Sequence, residues 1–343
     1  MVRLHEPLRG QAGTRVQSLS ANYARCGACP LRGSVGGLGS DAASRPDQNE
    51  PTYESALAAF EAQPPVRILF ENGAGGSEPG QPYPSFERSF DAFPVPGIVA
   101  ETWYARGGGK LADRRPTART VASFDADPRS TQPTNFTGDT GSGGLWTATP
   151  EYHWAEHPDA TAASYTTRPL GEDKTVIGGG KVRVWIRSER PDVDLQATIT
   201  ELRPDGKEVF VQGGWARASM RKLDRAKSTA LEPVLSLRKA DVRPMPQGRF
   251  VPVTIPLYYE GHPYRAGSRI RVTISAPHGD QPIWAFKRAK PKRGQTGVEI
   301  ASTKRRPSKL VLPVLPGVAV PAELPPCPGL RAQPCREYAL AED

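Results

Sequence analysis

Three clusters in this chain have the residue types and spacing that chemistry requires, and each would imply a different reaction. His153, Glu156 and His157 spell H-x-x-E-H. On a helix that pattern sets two imidazoles one turn apart around a zinc ion, with the glutamate as base. Pro150 and Pro158 bracket it, which leaves too little helix, and a proline disfavours helical backbone at the residue before it. The prediction is edge packing and no metal site. Asp192 and Asp194 form a carboxylate pair of the kind used for acid–base work or calcium. They precede an alternating run, where aspartates commonly satisfy turn amides, so a structural role is predicted. The third possibility is a serine nucleophile on a strained G-x-S-x-G turn. The nearest approaches are Gly75-Gly76-Ser77-Glu78-Pro79, which lacks the last glycine, and Thr140-Gly141-Ser142-Gly143-Gly144, which lacks the first. No catalytic residue, cofactor site or metal ligand is predicted.

The four cysteines divide into two pairs. Cys26 and Cys29 form a CxxC in Gly-, Ser- and Arg-rich sequence, without the strand-then-helix setting of a redox motif. A zinc site joining all four would bridge most of the chain and has no knuckle context. Cys327 and Cys335 close the short loop CPGLRAQPC. They are expected to form a local disulfide, which would imply an oxidising compartment. Gly178-Gly179-Gly180 is expected to follow no strand and open no helix, so it reads as a turn and not as a phosphate loop.

Most of the chain reads as short strands and turns. Its 343 residues include Gly 34 and Pro 36, with a hydrophobic fraction of 37%, a mixture that suits strands joined by turns better than long helices. No run of apolar residues is long enough to span a membrane, and the first residues lack the apolar stretch of a secretory signal. The net charge is +9, and nine basic residues fall between Lys287 and Lys309 against the single acid Glu299. With aromatics only at the edge of that run (Trp284, Phe286), the stacking platform of a single-strand binder is missing. Nucleic acid is disfavoured and a solvated loop expected.

Residues 1–49 have neither helical nor strand periodicity and read as disordered. Tyr53, Leu57 and Phe60 share one face of a predicted helix, followed by a compact apolar strand at Val66–Phe70. From about residue 166 the alternation is clear. KVRVWI sets Val182, Val184 and Ile186 against Arg183 and Trp185. LQATITEL and KEVFVQGGW flank Pro204-Asp205-Gly206 as a hairpin. Pro252 and Pro256 mark FVPVTIPLYY as an edge strand or bulge. SRIRVTISA and KLVLPVL follow. Short antiparallel strands with one wet face predict a mainly β protein, a β-sandwich.

The order of motifs in this region resembles the C-terminal domain of the X-Pro dipeptidyl-peptidase and cocaine-esterase-like serine hydrolases. The shared features are Pro169-Leu170, Asp173, Ile177 and Gly179; Asp192, Asp194 and Leu195; and the Pro-Asp-Gly hairpin. They continue with Tyr264, Ala266-Gly267 and Arg269-Ile270-Arg271, then Pro282 and Trp284. Upstream, VRILFENG, FPVPG and ETWYARGGGKL are similar to that family's passage out of its hydrolase domain. The resemblance implies a jelly-roll sandwich similar to galactose-binding modules over residues 99–316, with 50–98 as a helix–strand remnant of the hydrolase edge and 317–343 as a proline-rich tail. It implies a partner, an α/β-hydrolase domain missing from this chain or carried on another, and homo-oligomer contacts. Ester, amide or X-Pro dipeptide hydrolysis would belong to that partner, so the chain reads as a truncated, non-catalytic member. VRILFENG would then be an orphaned apolar strand, and residues 51–98 would be mobile or self-associating. The alternative is a carbohydrate-binding module on the same fold, with Trp215 or Trp185 lining a groove.

Overall fold

The structure, a computed structural model, describes residues 49–134, 150–279 and 296–338. The N-terminal stretch expected to be disordered lies outside the described residues up to position 48. So do the Cys26–Cys29 pair, Ser142, Trp284 and the first part of the basic run from Lys287.

Helix α1 spans Tyr53–Glu61 and is started by a capping box, in which Thr52 and Ser55 each accept from the other's backbone N–H at 3.1 and 3.3 Å. Tyr53 and Leu57 share a face as expected but stay 51% and 38% exposed. Strand β1 (Val66–Phe70) follows as predicted. It is not orphaned. It pairs along its whole length with β2 (Phe86–Phe90), Val66 opposite Phe90 and Phe70 opposite Phe86. The rings of Phe70 and Phe86 stack 4.7 Å apart. The inner face, Val66, Ile68 and Phe70, is buried with Val95 and Ile177, so the apolar surface expected to lie bare is covered. Strand β2 escaped the sequence reading because Glu87, Arg88 and Ser89 interrupt its phenylalanines.

The remaining strands are β3 (Val99–Arg106), β4 (Lys110–Ala112), β5 (Thr120–Asp125), β6 (Ala162–Thr166), β7 (Lys174–Gly178), β8 (Lys181–Arg187), β9 (Asp194–Leu202) and β10 (Lys207–Arg217). After them come β11 (Val251–Pro256), β12 (Glu260–Tyr264), β13 (Arg269–Ser275), β14 (Gly297–Ser302), β15 (Lys309–Leu315) and β16 (Cys335–Glu337). One ladder runs β16-β10-β9-β13-β6-β4-β3-β15-β8-β14-β5, with β11 on β8 and β7 between β12 and β15. Nearly every pairing is antiparallel. The link from β6 to β4 is parallel and rests on a single residue pair, Lys110 with Thr166. Alternating residues from both halves of the ladder fill one core. Leu195, Ala197, Ile199, Ile270 and Ile274 meet Val182, Val184, Ile186, Leu310 and Leu312. The fold is a β-sandwich.

Local chemistry explains the register. The β9–β10 hairpin turns at Pro204-Asp205-Gly206, where Gly206 has φ +78° and Arg203 N–H bonds Lys207 O at 2.8 Å. Among the described residues strand β11 pairs only with β8, and its prolines sit opposite Trp185 and Lys181, the edge position that a missing N–H permits. Gly178-Gly179-Gly180 does follow a strand, contrary to expectation, and opens strand β8 rather than a helix. A Cβ on Gly180 would stand 2.4 Å from Val311 O, so the turn needs glycine for close approach.

The outer face of β9, β10 and β13 is not wet. Thr198, Thr200 and Glu208 point to that face and are buried. Residues 150–157 and the C-terminal segment cover this face: Trp154 meets Phe210 edge-on at 6.2 Å, and Arg336 stacks over Trp154 at 4.4 Å. The segment 317–338 therefore wraps back over the sandwich instead of trailing away, ending in β16 on the free edge of β10.

Tyr165 on β6 points into the core, and its hydroxyl has no hydrogen-bond partner among the described residues. Burial pushes that phenol up to about 12. The folded protein holds the proton where the unfolded chain, near 10, gives it up, so stability falls as pH rises through 10 towards 12. The expected loss from this group is roughly 2–3 kcal/mol. Urea midpoints across that range check it, and Tyr165→Phe should flatten the slope.

Candidate functional site

The H-x-x-E-H segment and the Asp192–Asp194 pair go to structural partners, and Ser142 lies outside the described residues. The H-x-x-E-H segment has no regular secondary structure and is not helical. His153 Nδ1 lies 3.1 Å from Pro133 O, His157 stands edge-on to His278 at 4.6 Å, and exposed Glu156 reaches Arg271 at 3.4 Å. The imidazoles thus go to separate neighbours. No group of three or more His, Cys, Asp or Glu side chains converges as a metal site among the described residues. Asp192 accepts from Ser219 N–H at 2.8 Å and Ser219 Oγ at 2.6 Å. Asp194 holds Arg217 in a two-pronged pair at 2.7 and 3.0 Å. Both aspartates fasten the ends of β9 and β10. Ser77 is exposed on the β1–β2 loop. Trp215 stacks on Tyr258 at 6.0 Å and donates its indole N–H to Gln196 Oε1 at 2.9 Å. Cys327 and Cys335 are bonded, with Cα atoms 5.6 Å apart, and the bridge closes the loop that leads into β16.

A serine, a carboxylate and a histidine do meet in the interior. His262 Nε2 lies 2.9 Å from Glu201 Oε2, and the Ser268 hydroxyl faces the same carboxylate. Burial pushes Glu201 up, but His262, Ser268 and Arg265 outweigh it and hold the carboxyl below its ordinary value. This order is wrong for acyl transfer, because the histidine must stand between serine and acid to take the hydroxyl proton. Glu201 and His262 are each 2% exposed and Ser268 0%, so no substrate carbonyl reaches them. The trio ties β9 to β12 and the turn before β13. A depressed carboxyl contributes stability above its unfolded value and loses it as pH falls below, so this trio supports the fold at neutral pH and weakens in acid.

The same network runs to the hairpin. Arg265 Nη1 meets Glu71 Oε1 at 2.5 Å, and Glu71 Oε2 accepts from Ser85 Oγ at 2.5 Å. Glu71 is 4% exposed and Arg265 7%. Across the sheet, Glu208, 1% exposed, accepts from Thr200, Arg271 and Arg336. These carboxylates hold layers together. Sequence reading missed them because Glu71, Glu201 and Glu208 look like ordinary strand-end acids, and their cationic partners are far away in the chain.

Residues 58–311 match the family described as the X-Pro dipeptidyl-peptidase C-terminal non-catalytic domain. Among solved structures, the chain is similar to a CocE/NonD family hydrolase from Staphylococcus aureus, with 20% identity and a TM-score of 0.50. It is similar, with the same TM-score, to an aminopeptidase from a marine sediment archaeon, Thaumarchaeota archaeon, at 17% identity, and to an alpha-amino acid ester hydrolase at 18%. Each alignment covers 67% of this chain and 39% of the other. At such identities the likeness shows the fold, and this chain spans well under half the length of those structures. No curated protein matches it. The family match over most of the chain and the shared sandwich agree: this protein belongs to the X-Pro dipeptidyl-peptidase C-terminal non-catalytic domain family.

Proposed function

We propose that the domain completes an α/β-hydrolase, helping to wall its substrate pocket and taking part in subunit contacts, while the Ser–His–acid machinery resides in the hydrolase partner. The family match to a non-catalytic domain carries this reading. The names of the structural neighbours support ester, amide or peptide hydrolysis as the partner's reaction. In the same reading the sandwich is wired as a jelly roll, and the Cys327–Cys335 bridge forms in an oxidising compartment. No helix among the described residues is long and apolar enough to cross a membrane.

The test begins with the DNA upstream of this reading frame. A frame encoding a G-x-S-x-G elbow is to be expressed together with this chain. The expected outcome is a joined or co-purifying pair that turns over aryl esters and takes a fluorophosphonate on the elbow serine. An elbow-bearing hydrolase that is fully active without this chain and does not associate with it would overturn the proposal.

A further inference from the structure

Strand β8 presents Val182, Val184 and Ile186 to the core and Lys181, Arg183, Trp185 and Arg187 to the outside. The pairing places more cations on that outer face. Lys309 of β15 lies directly opposite Arg183, and Tyr104 of β3 directly opposite Lys309. Arg306, in the turn before β15, and Arg187 both stack over Phe250, at 5.2 and 4.7 Å. Arg183 lies over Trp185 at 5.7 Å and Lys309 over Tyr104 at 5.9 Å. The face is a lattice of cations and aromatic rings drawn from four separate parts of the chain.

One acid relieves part of it, Glu299 paired with Arg187. Among the described residues, Lys181, Arg183 and Lys309 have no carboxylate partner. Like charges directly opposite one another destabilise a sheet, and an ordinary solvated surface interleaves both signs. Here three cations crowd together half-buried, and desolvation together with Lys309 and Arg183 pulls the Lys181 ammonium below its ordinary value. The repulsion is relieved when anions arrive.

We propose that this outer face of β8, β15 and β3 is a docking surface for an acidic polypeptide, whose carboxylates engage Lys181, Arg183 and Lys309. Charge complementarity selects an anion, and the geometry selects carboxylates on a protein. Cross-strand neighbours such as Lys309 and Arg183 stand about 5 Å apart at Cβ, and alternate residues such as Lys181 and Arg183 about 7 Å apart along the strand. Acidic side chains on a facing helix or strand repeat at similar spacings. A nucleic-acid strand would instead need open ring faces for its bases, and each ring here already carries a cation over its face. The proposal holds whether or not the docked polypeptide is the hydrolase partner.

The probes are a labelled oligoglutamate peptide and a labelled oligothymidine of equal length, titrated by anisotropy into the full chain. Oligoglutamate is expected to bind, to weaken about tenfold or more from about 50 to about 200 mM salt, and to outcompete oligothymidine. The double variant Lys181→Gln/Lys309→Gln should lose about tenfold in oligoglutamate affinity while its melting temperature rises by about 1–3 °C, because the repulsion is gone. The variant Lys227→Gln/Lys239→Gln removes the same charge from exposed positions elsewhere and should change affinity less than about twofold. Equal loss in both variants, no loss in the first, absence of oligoglutamate binding, or tighter binding of oligothymidine would each overturn the proposal. The rise in melting temperature separates a lost site from a damaged fold.

Discussion

Replacing Arg265 with methionine is expected to release the β1–β2 hairpin from the sandwich and to cost about 3–5 kcal/mol, the usual penalty for stranding a buried charge. Arg265 reaches both Glu71, at the end of β1, and Pro321 O, at 2.5 and 2.9 Å. Glu71 in turn holds Ser85 just before β2. Without the guanidinium, the Glu71 carboxylate is left in a pocket closed to water. Ile68 and Phe70 still favour burial, but they lean on Gly261, where even a Cβ would come within 2.8 Å of Ile68. Gly261 thus lets the hairpin pack close against β12. Hydrogen exchange should show protection lost across residues 66–90 and retained in β9, β10 and β13. The double variant Glu71→Met/Arg265→Met should recover much of the loss, because it removes the charge along with its partner. Unchanged protection of the hairpin in Arg265→Met would refute its role as a latch.

Gly214→Ala should be comparably damaging for a steric reason. Gly214 on β10 faces β11 across the core, and a Cβ there would stand 2.0 Å from Pro256 O and 2.9 Å from Pro256 C. Both are backbone atoms of a strand held in register against β8, so no side chain can swing away. Forcing the layers apart is expected to cost about 3 kcal/mol or more. Gly248→Ala is the matched control. Its φ is +68° with nothing within 4 Å of the added carbon, so only backbone strain of about 1–2 kcal/mol applies. Denaturant midpoints that rank the two variants the other way would show that β10 and β11 are not pressed together as described.

The sandwich was legible wherever alternation and turn chemistry agreed. Strands β8, β9, β10, β13 and β15 each read inward–outward, and Asp205-Gly206 fixed the hairpin between β9 and β10. The proline-bearing β11 lies at an edge as expected. Strands such as β6, ASYT, and β12, GHPY, were not legible, because small or polar residues and a proline hide their periodicity until neighbours pair with them. The burial of the hairpin was also hidden. An apolar VRILF predicts a covered face but does not say what covers it, and the answer is Gly261, Ile177 and a carboxylate latch from distant sequence.

His153, Glu156, His157, Asp192 and Asp194 go to structural partners for reasons partly visible beforehand. Prolines flanking His153 and His157 kept them off a helix, and Asp192 and Asp194 became strand-end anchors. The cation lattice was half legible. KVRVWIR announces one basic, aromatic face, but only pairing brings Lys309 and Tyr104 beside it. Electrostatic surfaces assembled from separate strands are a property of register, which local sequence does not carry.

If acyl transfer belongs to a hydrolase partner, this domain should carry no hydroxyl poised for attack. The most direct measurement is intact-mass spectrometry of the purified full chain after treatment with a fluorophosphonate probe. An unmodified mass is predicted, with Ser268 shielded beneath Glu201 and Ser77 lacking an elbow. A stoichiometric adduct on any serine would contradict it.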